Sequence, residues 1–186
     1  MELMEAIEAR RSVRAYKPDM VEREKIEKTL HAAVQAPSGM NAQPWAFGVI
    51  QDRERLKSYS ECIKIDLLNK VEEQPWLARY QEHFANPAYN IFYNAPTLVV
   101  IYAKEATPIA QIDCCLAAEN LMLAAADLGL GTCWIGFSYD FMNMPSVKQE
   151  LGVPEEYAAM APIILGYPDG PIPPREKNPP ETVYWR

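Results

Sequence analysis

Three arginines and a serine lie close together near the start of the chain, in the sequence Arg10-Arg11-Ser12-Val13-Arg14. Because the whole chain carries a formal net charge of -7, this cluster is a local exception and indicates a site for a specific anion. Guanidinium groups and a hydroxyl suit a phosphate, since their donors match its oxygens. Cations that follow a short helix can also offset its macrodipole, by about 0.3–1 kcal/mol each. These residues alone leave both interpretations open.

Three further segments carry groups that could hold a planar polar ligand. They are Pro37-Ser38-Gly39-Met40-Asn41, Trp134-Ile135-Gly136 and Arg175-Glu176-Lys177. The first offers a hydroxyl, a bare backbone and a carboxamide, and the glycine of the second lets the backbone approach a ligand closely. The third adds two cations. Each segment also has a structural interpretation: a turn that ends a helix, core packing of Trp134, and a solvated pair of charges in a tail.

Composition narrows the function classes. A chain of 186 residues with 49% hydrophobic and 23% charged residues predicts one globular domain. Its 25 acidic residues against 18 basic ones argue against nucleic-acid binding, which needs a basic face. The four cysteines form no CxxC pair and only two histidines are present, so we expect no metal site and no disulfide framework. The simplest interpretation is buried thiols in a reducing cytoplasm, and the N-terminus lacks the pattern of a secretory signal.

The helices and strands that would position these residues are predicted from hydrophobic periodicity and from the proline and glycine residues that bound them. Helices are predicted over residues 3–10, 21–36, 53–70 and 108–128, and strands over 45–51, 96–103, 131–136 and 160–166. The run over 96–103 is apolar throughout, which is typical of a strand buried on both faces. Thr107 followed by Pro108 predicts the start of the fourth helix. Residues 71–94 suggest irregular helical pieces that form a lid, and the proline-rich residues 167–186 suggest an extended tail.

The fourth helix is apolar nearly all round, which predicts burial on every side. Asp113, Glu119 and Asp127 argue against a membrane span, because an Asp at the bilayer centre costs about 2.5–3.5 kcal/mol. In so small a protein such a helix needs a surrounding sheet or a second subunit. We therefore place it at the centre of a homodimer interface.

In this order and at these separations, the four segments resemble the nitroreductase superfamily of FMN-dependent flavoproteins. The resemblance implies one α+β domain over 1–186, with a central, mostly antiparallel sheet flanked by helices. It implies a homodimer with FMN at the subunit interface, where the Pro37–Asn41 loop comes from the partner subunit. The cofactor-binding residues that it implies are Arg10, Arg11, Ser12, Arg14, Pro37, Ser38, Gly39, Asn41, Trp134, Ile135, Gly136, Arg175 and Lys177. Asn90 is a candidate for the pyrimidine edge of the flavin.

The activity implied is transfer of electrons from NAD(P)H through flavin N5 to a nitroaromatic, a quinone or a conjugated carbonyl, in a ping-pong cycle. The flavin carries the redox chemistry, so no catalytic side chain is expected. Ile135 stands where some relatives have a glutamate. The resemblance therefore does not imply an acid-assisted proton relay, or a nicotinamide contact, of the kind that such a glutamate provides. Alternatives within the superfamily are reductive dehalogenation and oxygen-dependent flavin fragmentation. A flavin-binding redox sensor and an α/β binding module without flavin also remain open.

Overall fold

The computed structural model describes residues 1–186. Its helices are α1 (Leu3–Ala9), α2 (Arg23–Ala33), α3 (Arg53–Asn69), α4 (Gln81–Ala85), α5 (Pro108–Asp127), α6 (Tyr139–Met142) and α7 (Pro145–Leu151). Its strands are β1 (Trp45–Ile50), β2 (Thr97–Ala103), β3 (Gly131–Trp134) and β4 (Ala158–Gly166). Short 3-10 turns cover Gly39–Asn41, Pro75–Tyr80 and Gly136–Ser138. Most predicted elements are confirmed, although α2 is shorter than the predicted 21–36. Residues 137–157 contain α6 and α7, which were not predicted.

The four strands form one antiparallel sheet in the order β1-β2-β4-β3. Every residue of β2 is buried, as the apolar run predicts. Alternate β2 residues enter two different cores: Leu98 and Val100 pack on one face of the sheet, and Val99 and Ile101 on the other. Period-two alternation of side chains thus makes β2 the centre of a three-layer α+β domain and confirms the predicted fold class.

Helices cover both faces of this sheet. The first face packs against α3, α6, α7 and part of the 71–94 segment. The second face packs against α2 and α5. The start of α5 is fixed as predicted, because the Thr107 hydroxyl oxygen accepts a hydrogen bond from the Ala110 N–H at 3.2 Å and Pro108 occupies the first turn.

Within one subunit helix α5 is buried on one side only, and burial of its other side by a second subunit stays a prediction. Eight of its residues are buried, including Ala117 and Leu121. On the opposite side Ile109, Ile112 and Leu116 are 63%, 61% and 42% exposed, because no element of the same chain covers them. By length and composition this helix could cross a membrane, yet it packs against α2 and the sheet as a core helix does.

The prediction of four buried thiols is only half right. All four cysteines are free; Cys114 and Cys133 are buried, whereas Cys62 and Cys115 are exposed. Cys114 and Cys115 are consecutive in a helix, so their side chains point in directions about 100° apart and only one faces the core.

Candidate functional site

The segment that carries the arginines lies directly on the end of the sheet. The Val13 N–H donates to the Thr132 carbonyl at 2.9 Å, and Ser12 forms a parallel bridge with Thr132. Gly131 allows this approach, because a Cβ at that position would lie 2.7 Å from Val13. The glycine at the start of β3 therefore brings the basic cluster against the strand that leads into Trp134.

The same segment also directs the C-terminal tail. The Lys17 N–H donates to the Tyr167 carbonyl, and the Asp169 N–H donates to the Ala15 carbonyl, each at 2.9 Å. Tyr16 adds an antiparallel bridge to Pro168. These contacts turn the chain after β4 back along residues 15–17, so the tail continues toward the arginines.

Tail and cluster together line a cavity of about 250 Å³, which we call the basic cavity. Its lining is Arg10, Arg11, Ser12, Arg14, Ile172, Pro173, Arg175 and Lys177. Among these cations only Arg10 pairs with an acid, since its Nε lies 3.3 Å from Glu119. No carboxylate oxygen lies within 4.0 Å of the other four, and the buried Nε of Arg11 has no hydrogen-bond partner. Such a donor set fits an external dianion such as a phosphate monoester.

The helix-cap interpretation applies to only one of the same arginines, Arg11. The last turn of α1 contains no basic residue. The Arg11 side chain donates to the Arg10 carbonyl at 2.7 Å, and the Arg14 side chain donates to the Ser12 carbonyl at 3.4 Å. Arg10 is the C-cap residue of α1, so Arg11 satisfies a carbonyl at the end of the helix, whereas Ser12 lies beyond that end.

A second cavity, of about 340 Å³, adjoins the first at Arg14, and we call it the ring cavity. It is lined by Arg14, Trp76, Ile91, Tyr93, Cys133, Trp134, Ile135, Gly136 and Phe137. Ile91, Cys133 and Ile135 are at most 4% exposed and form its floor. Burial raises the pKa of the Cys133 thiol, and the nearby Arg14 guanidinium opposes that shift only in part.

Trp134, Ile135 and Gly136 reach this cavity because β3 ends there. The Ile135 N–H donates to the Pro162 carbonyl at 2.8 Å, which holds the backbone beside β4. Gly136 then opens a 3-10 turn, and no heavy atom lies within 4 Å of the place where its Cβ would be. The backbone at Gly136 is therefore open to a ligand in the ring cavity.

The Pro37–Asn41 loop lines neither cavity, so one chain does not bring these predicted site residues to the others. The Gly39 N–H donates to the Asp113 carboxylate of α5 at 3.2–3.3 Å, and a Cβ on Gly39 would lie 2.9 Å from Ile109. Met40 and Asn41 have positive φ values of 53° and 56°, and Met40 is fully exposed. The loop is thus fastened to α5, and two of its residues have the left-handed backbone conformation that clusters at binding sites.

Trp76, Tyr93 and Phe137 also line the ring cavity, although no sequence pattern predicts them as site residues. Tyr93 has a positive φ of 52°, and the Arg14 guanidinium lies 5.8 Å from its ring centroid. The predicted Asn90 lies elsewhere: residues 90, 92 and 94 line a separate cavity, while 91 and 93 line the ring cavity. The aromatic content of 71–94 was the available signal, but an irregular segment has no period from which to assign faces.

Comparison with known proteins agrees with this geometry. The model of the Nitroreductase family matches residues 7–167. A candidate NADH dehydrogenase/NAD(P)H nitroreductase of Archaeoglobus fulgidus is 33% identical over 172 residues, 90% of this chain and 86% of that protein. An iodotyrosine deiodinase of Thermotoga neapolitana is 27% identical, over 95% and 94% of the two chains. The crystal structure of an FMN-bound nitroreductase from Bacteroides fragilis has a TM-score of 0.83 and 32% identity, covering 99% and 97% of the two chains.

Proposed function

This chain belongs to the nitroreductase family, and we propose that it is an FMN-dependent oxidoreductase that passes electrons from NAD(P)H to an electrophilic organic acceptor. The observation that carries the proposal is the pair of cavities that meet at Arg14. One cavity has four cations without acidic partners, and the other is a mostly apolar pocket. FMN has the matching two-part shape, a dianionic phosphate joined to a flat ring. Its presence in the crystallised Bacteroides relative supports the same cofactor here.

The residues present fit that cofactor. Arg10, Arg11, Ser12, Arg175 and Lys177 would hold the phosphate together with Arg14, which lies where the two cavities meet, and the unpartnered Arg11 Nε supplies a donor that the fold leaves unsatisfied. Hydrogen bonds to charged groups contribute about 1.5–3 kcal/mol each, so several of them retain the cofactor without a covalent bond. The backbone at Gly136, with Trp134 and Ile135, would border the ring.

The net reaction consumes one NAD(P)H, one proton and one acceptor, and yields NAD(P)⁺ and the acceptor with two hydrogens added. When bound, the flavin supplies the site that takes up hydride and passes the two electrons on. Arg14 is the only charged side chain in the ring cavity and would stabilise negative charge that develops there. Since Ile135 is apolar and burial raises the pKa of the Cys133 thiol and makes it a weaker acid, the proton for the acceptor would come from solvent or from the Tyr93 hydroxyl.

The complete site requires a homodimer in this proposal. Ile109, Ile112 and Leu116 form an exposed apolar stripe on α5, and the Pro37–Asn41 loop is fastened to the same helix beside Ile109. Packing α5 against α5 of a second copy would bury the stripe and would carry each loop across to the other subunit. A cytoplasmic location remains a prediction from the composition alone.

The first experiment is purification followed by release and identification of any yellow chromophore. We expect FMN, or reconstitution of the colourless protein by added FMN. Anaerobic addition of NADH and of NADPH should bleach the flavin absorbance, and a nitroaromatic or a quinone should restore it. A protein that cannot be loaded with FMN contradicts the proposal. A reduced flavin that persists with every acceptor would instead indicate a redox sensor.

Reductive dehalogenation is the second candidate, and the specific observation in its favour is the similarity to the Thermotoga deiodinase over nearly the whole chain. Oxygen-dependent flavin fragmentation also remains a candidate, because the chain is 27% identical to a 5,6-dimethylbenzimidazole synthase of Rhodospirillum rubrum. Incubating the reduced holoenzyme with an iodophenol and with 3-iodotyrosine, and measuring iodide, distinguishes the dehalogenase from the acceptor reductase.

A further inference from the structure

Asp113 of α5 is a buried acidic residue that lies outside both cavities. Its side chain is 4% exposed and lines neither the basic cavity nor the ring cavity. Its two carboxylate oxygens share one donor, the Gly39 N–H, at 3.3 and 3.2 Å, and no cationic side chain pairs with them. Burial of a carboxylate costs more free energy than a single backbone donor returns. The fold therefore gains little stability from Asp113, and its role lies in what it holds.

The segment that Asp113 holds is the Pro37–Asn41 loop. Gly39 lies so close to α5 that a Cβ on it would be 2.9 Å from Ile109. Three other residues of the segment 37–43 have positive φ values, between 49° and 56°. Such backbone conformations persist only where the surrounding contacts fix them. The bond from the Gly39 N–H to the Asp113 carboxylate is the side-chain hydrogen bond that ties this segment to another element.

The fixed loop presents hydrogen-bond donors outward. The Ser38 hydroxyl oxygen accepts from the Gln43 N–H at 3.0 Å, and the Asn41 side-chain oxygen accepts from the Gln43 side chain at 3.2 Å. These bonds engage acceptors of Ser38 and Asn41, while the hydroxyl hydrogen and the NH₂ group have no acceptor in the chain. The polar edge of a flavin ring carries mainly acceptors, so the donors of the loop match it.

We infer that Asp113 is a positioning residue, whose buried carboxylate fixes the Pro37–Asn41 loop so that its donors meet the flavin ring bound by the other subunit. This inference rests on the proposed function, because it assigns a role in that cofactor site and in that homodimer. The carboxylate acts through the Gly39 N–H and not by contact with the cofactor. Its removal should therefore release the loop and weaken the hold on the ring, while the phosphate site keeps its cations.

Titration of flavins into the full-length protein freed of cofactor tests this role. Asp113→Ala removes the acceptor, whereas Asp113→Asn keeps a side-chain oxygen that can accept the Gly39 N–H. Asp127→Ala is the matched control, because it removes an exposed carboxylate from the C-terminal end of α5 that does not contact the loop. Dissociation constants are measured for FMN and for riboflavin. Sedimentation and denaturant unfolding of each variant report the oligomeric state and the stability.

We expect Asp113→Ala to weaken FMN and riboflavin alike, by about 10- to 150-fold, the range for loss of one hydrogen bond to a charged group. Asp113→Asn should restore most of the affinity and the absorbance spectrum of the bound flavin, and Asp127→Ala should change neither. The unfolding free energy of Asp113→Ala should not fall, because alanine favours the helix and the substitution removes a buried charge.

Unchanged flavin binding by Asp113→Ala would overturn the inference, as would an Asn variant that binds no better than the Ala variant. A weakening confined to FMN would overturn it too, since the effect would then lie at the phosphate. Weaker binding that appears only with dissociation or with an equal loss of stability would mean that Asp113 holds the interface or the fold instead. A wild-type protein that binds neither flavin would contradict the proposed function itself.

Discussion

Removing two cations from the basic cavity should weaken FMN binding far more than it weakens the fold. Arg14→Ala combined with Arg175→Ala deletes one donor from the cluster and one from the tail, and neither side chain pairs with an acid. Each charged hydrogen bond contributes about 1.5–3 kcal/mol, so the pair predicts a loss of about 3–6 kcal/mol in binding. That loss corresponds to a dissociation constant higher by about two to four orders of magnitude. Folding should change by only about 0.5 kcal/mol, as expected for exposed surface charges.

The assay compares two ligands and two double variants. Quenching of flavin fluorescence on titration into the apoprotein gives dissociation constants for FMN and for riboflavin, which has the same ring without the phosphate. Lys28→Ala with Arg186→Ala removes the same total charge outside both cavities, and so measures the long-range electrostatic effect. Denaturant unfolding of the apoproteins gives the stability change.

We expect the site variant to lose FMN affinity selectively, while its riboflavin affinity and that of the control change by less than tenfold. The reasoning is refuted if FMN and riboflavin weaken equally, because the arginines would then not act on the phosphate. A second refuting result is a loss in unfolding free energy as large as the loss in FMN binding free energy, because the two arginines would then stabilise the fold rather than bind the cofactor.

Three further predictions concern the elements that hold the site. Gly131→Ala places a methyl group 2.7 Å from Val13, so we expect the free energy of denaturant unfolding to fall by about 1–3 kcal/mol and FMN binding to weaken. If neither quantity changes, the contact of Gly131 with Val13 does not hold the Arg10–Arg14 segment in place. Ile112→Glu should leave the subunit folded but dissociate the proposed dimer and weaken FMN binding; an unaltered sedimentation coefficient would exclude α5 from the proposed interface. Burial raises the pKa of Tyr102 to about 12, against about 10 in the unfolded chain, so the folded state favours the neutral phenol. The stability that this gives is complete below about pH 10 and is lost as the pH rises from about 10 to about 12. Tyr102→Phe should therefore remove about 2 kcal/mol of the loss in unfolding free energy over that range, whereas Tyr184→Phe, at an exposed position, should not.

Much of the fold was predictable because its signals are local. The apolar run of β2, the Thr107-Pro108 start of α5 and the glycines after it each follow from the chemistry of a few adjacent residues. The burial of α5 was not predictable in detail. A helix that is apolar all round does not show which side its own chain covers, and the structure leaves Ile109, Ile112 and Leu116 exposed.

The residues of the site were likewise predictable only in part. Arg10–Arg14 and Gly136 were recognisable because charge clusters and glycines are informative residue by residue. The distinction between Tyr93, which borders the ring cavity, and Asn90, which lines a different one, depends on how an irregular segment lies against α3. Lys64 and Ser60 of α3 fix that placement: Lys64 donates to the Asn86 and Tyr89 carbonyls and the Ser60 hydroxyl accepts from the Ile91 N–H.

The sequence by itself therefore determined the donor types, the element pattern and the family that they resemble, since each depends on residue identity and short spacing. The resemblance implied that Arg175 and Lys177 bind the same cofactor as the cluster and that the Pro37–Asn41 loop comes from the partner subunit. Only the tertiary structure shows the two tail cations, more than 160 residues from the cluster, in the lining of one cavity, and the loop outside that lining within one chain. The physical reason is that these placements depend on hydrogen bonds and close contacts between distant segments. The Tyr167 and Asp169 bonds to residues 15–17 and the contact of Gly131 with Val13 are such interactions, and no local pattern encodes them.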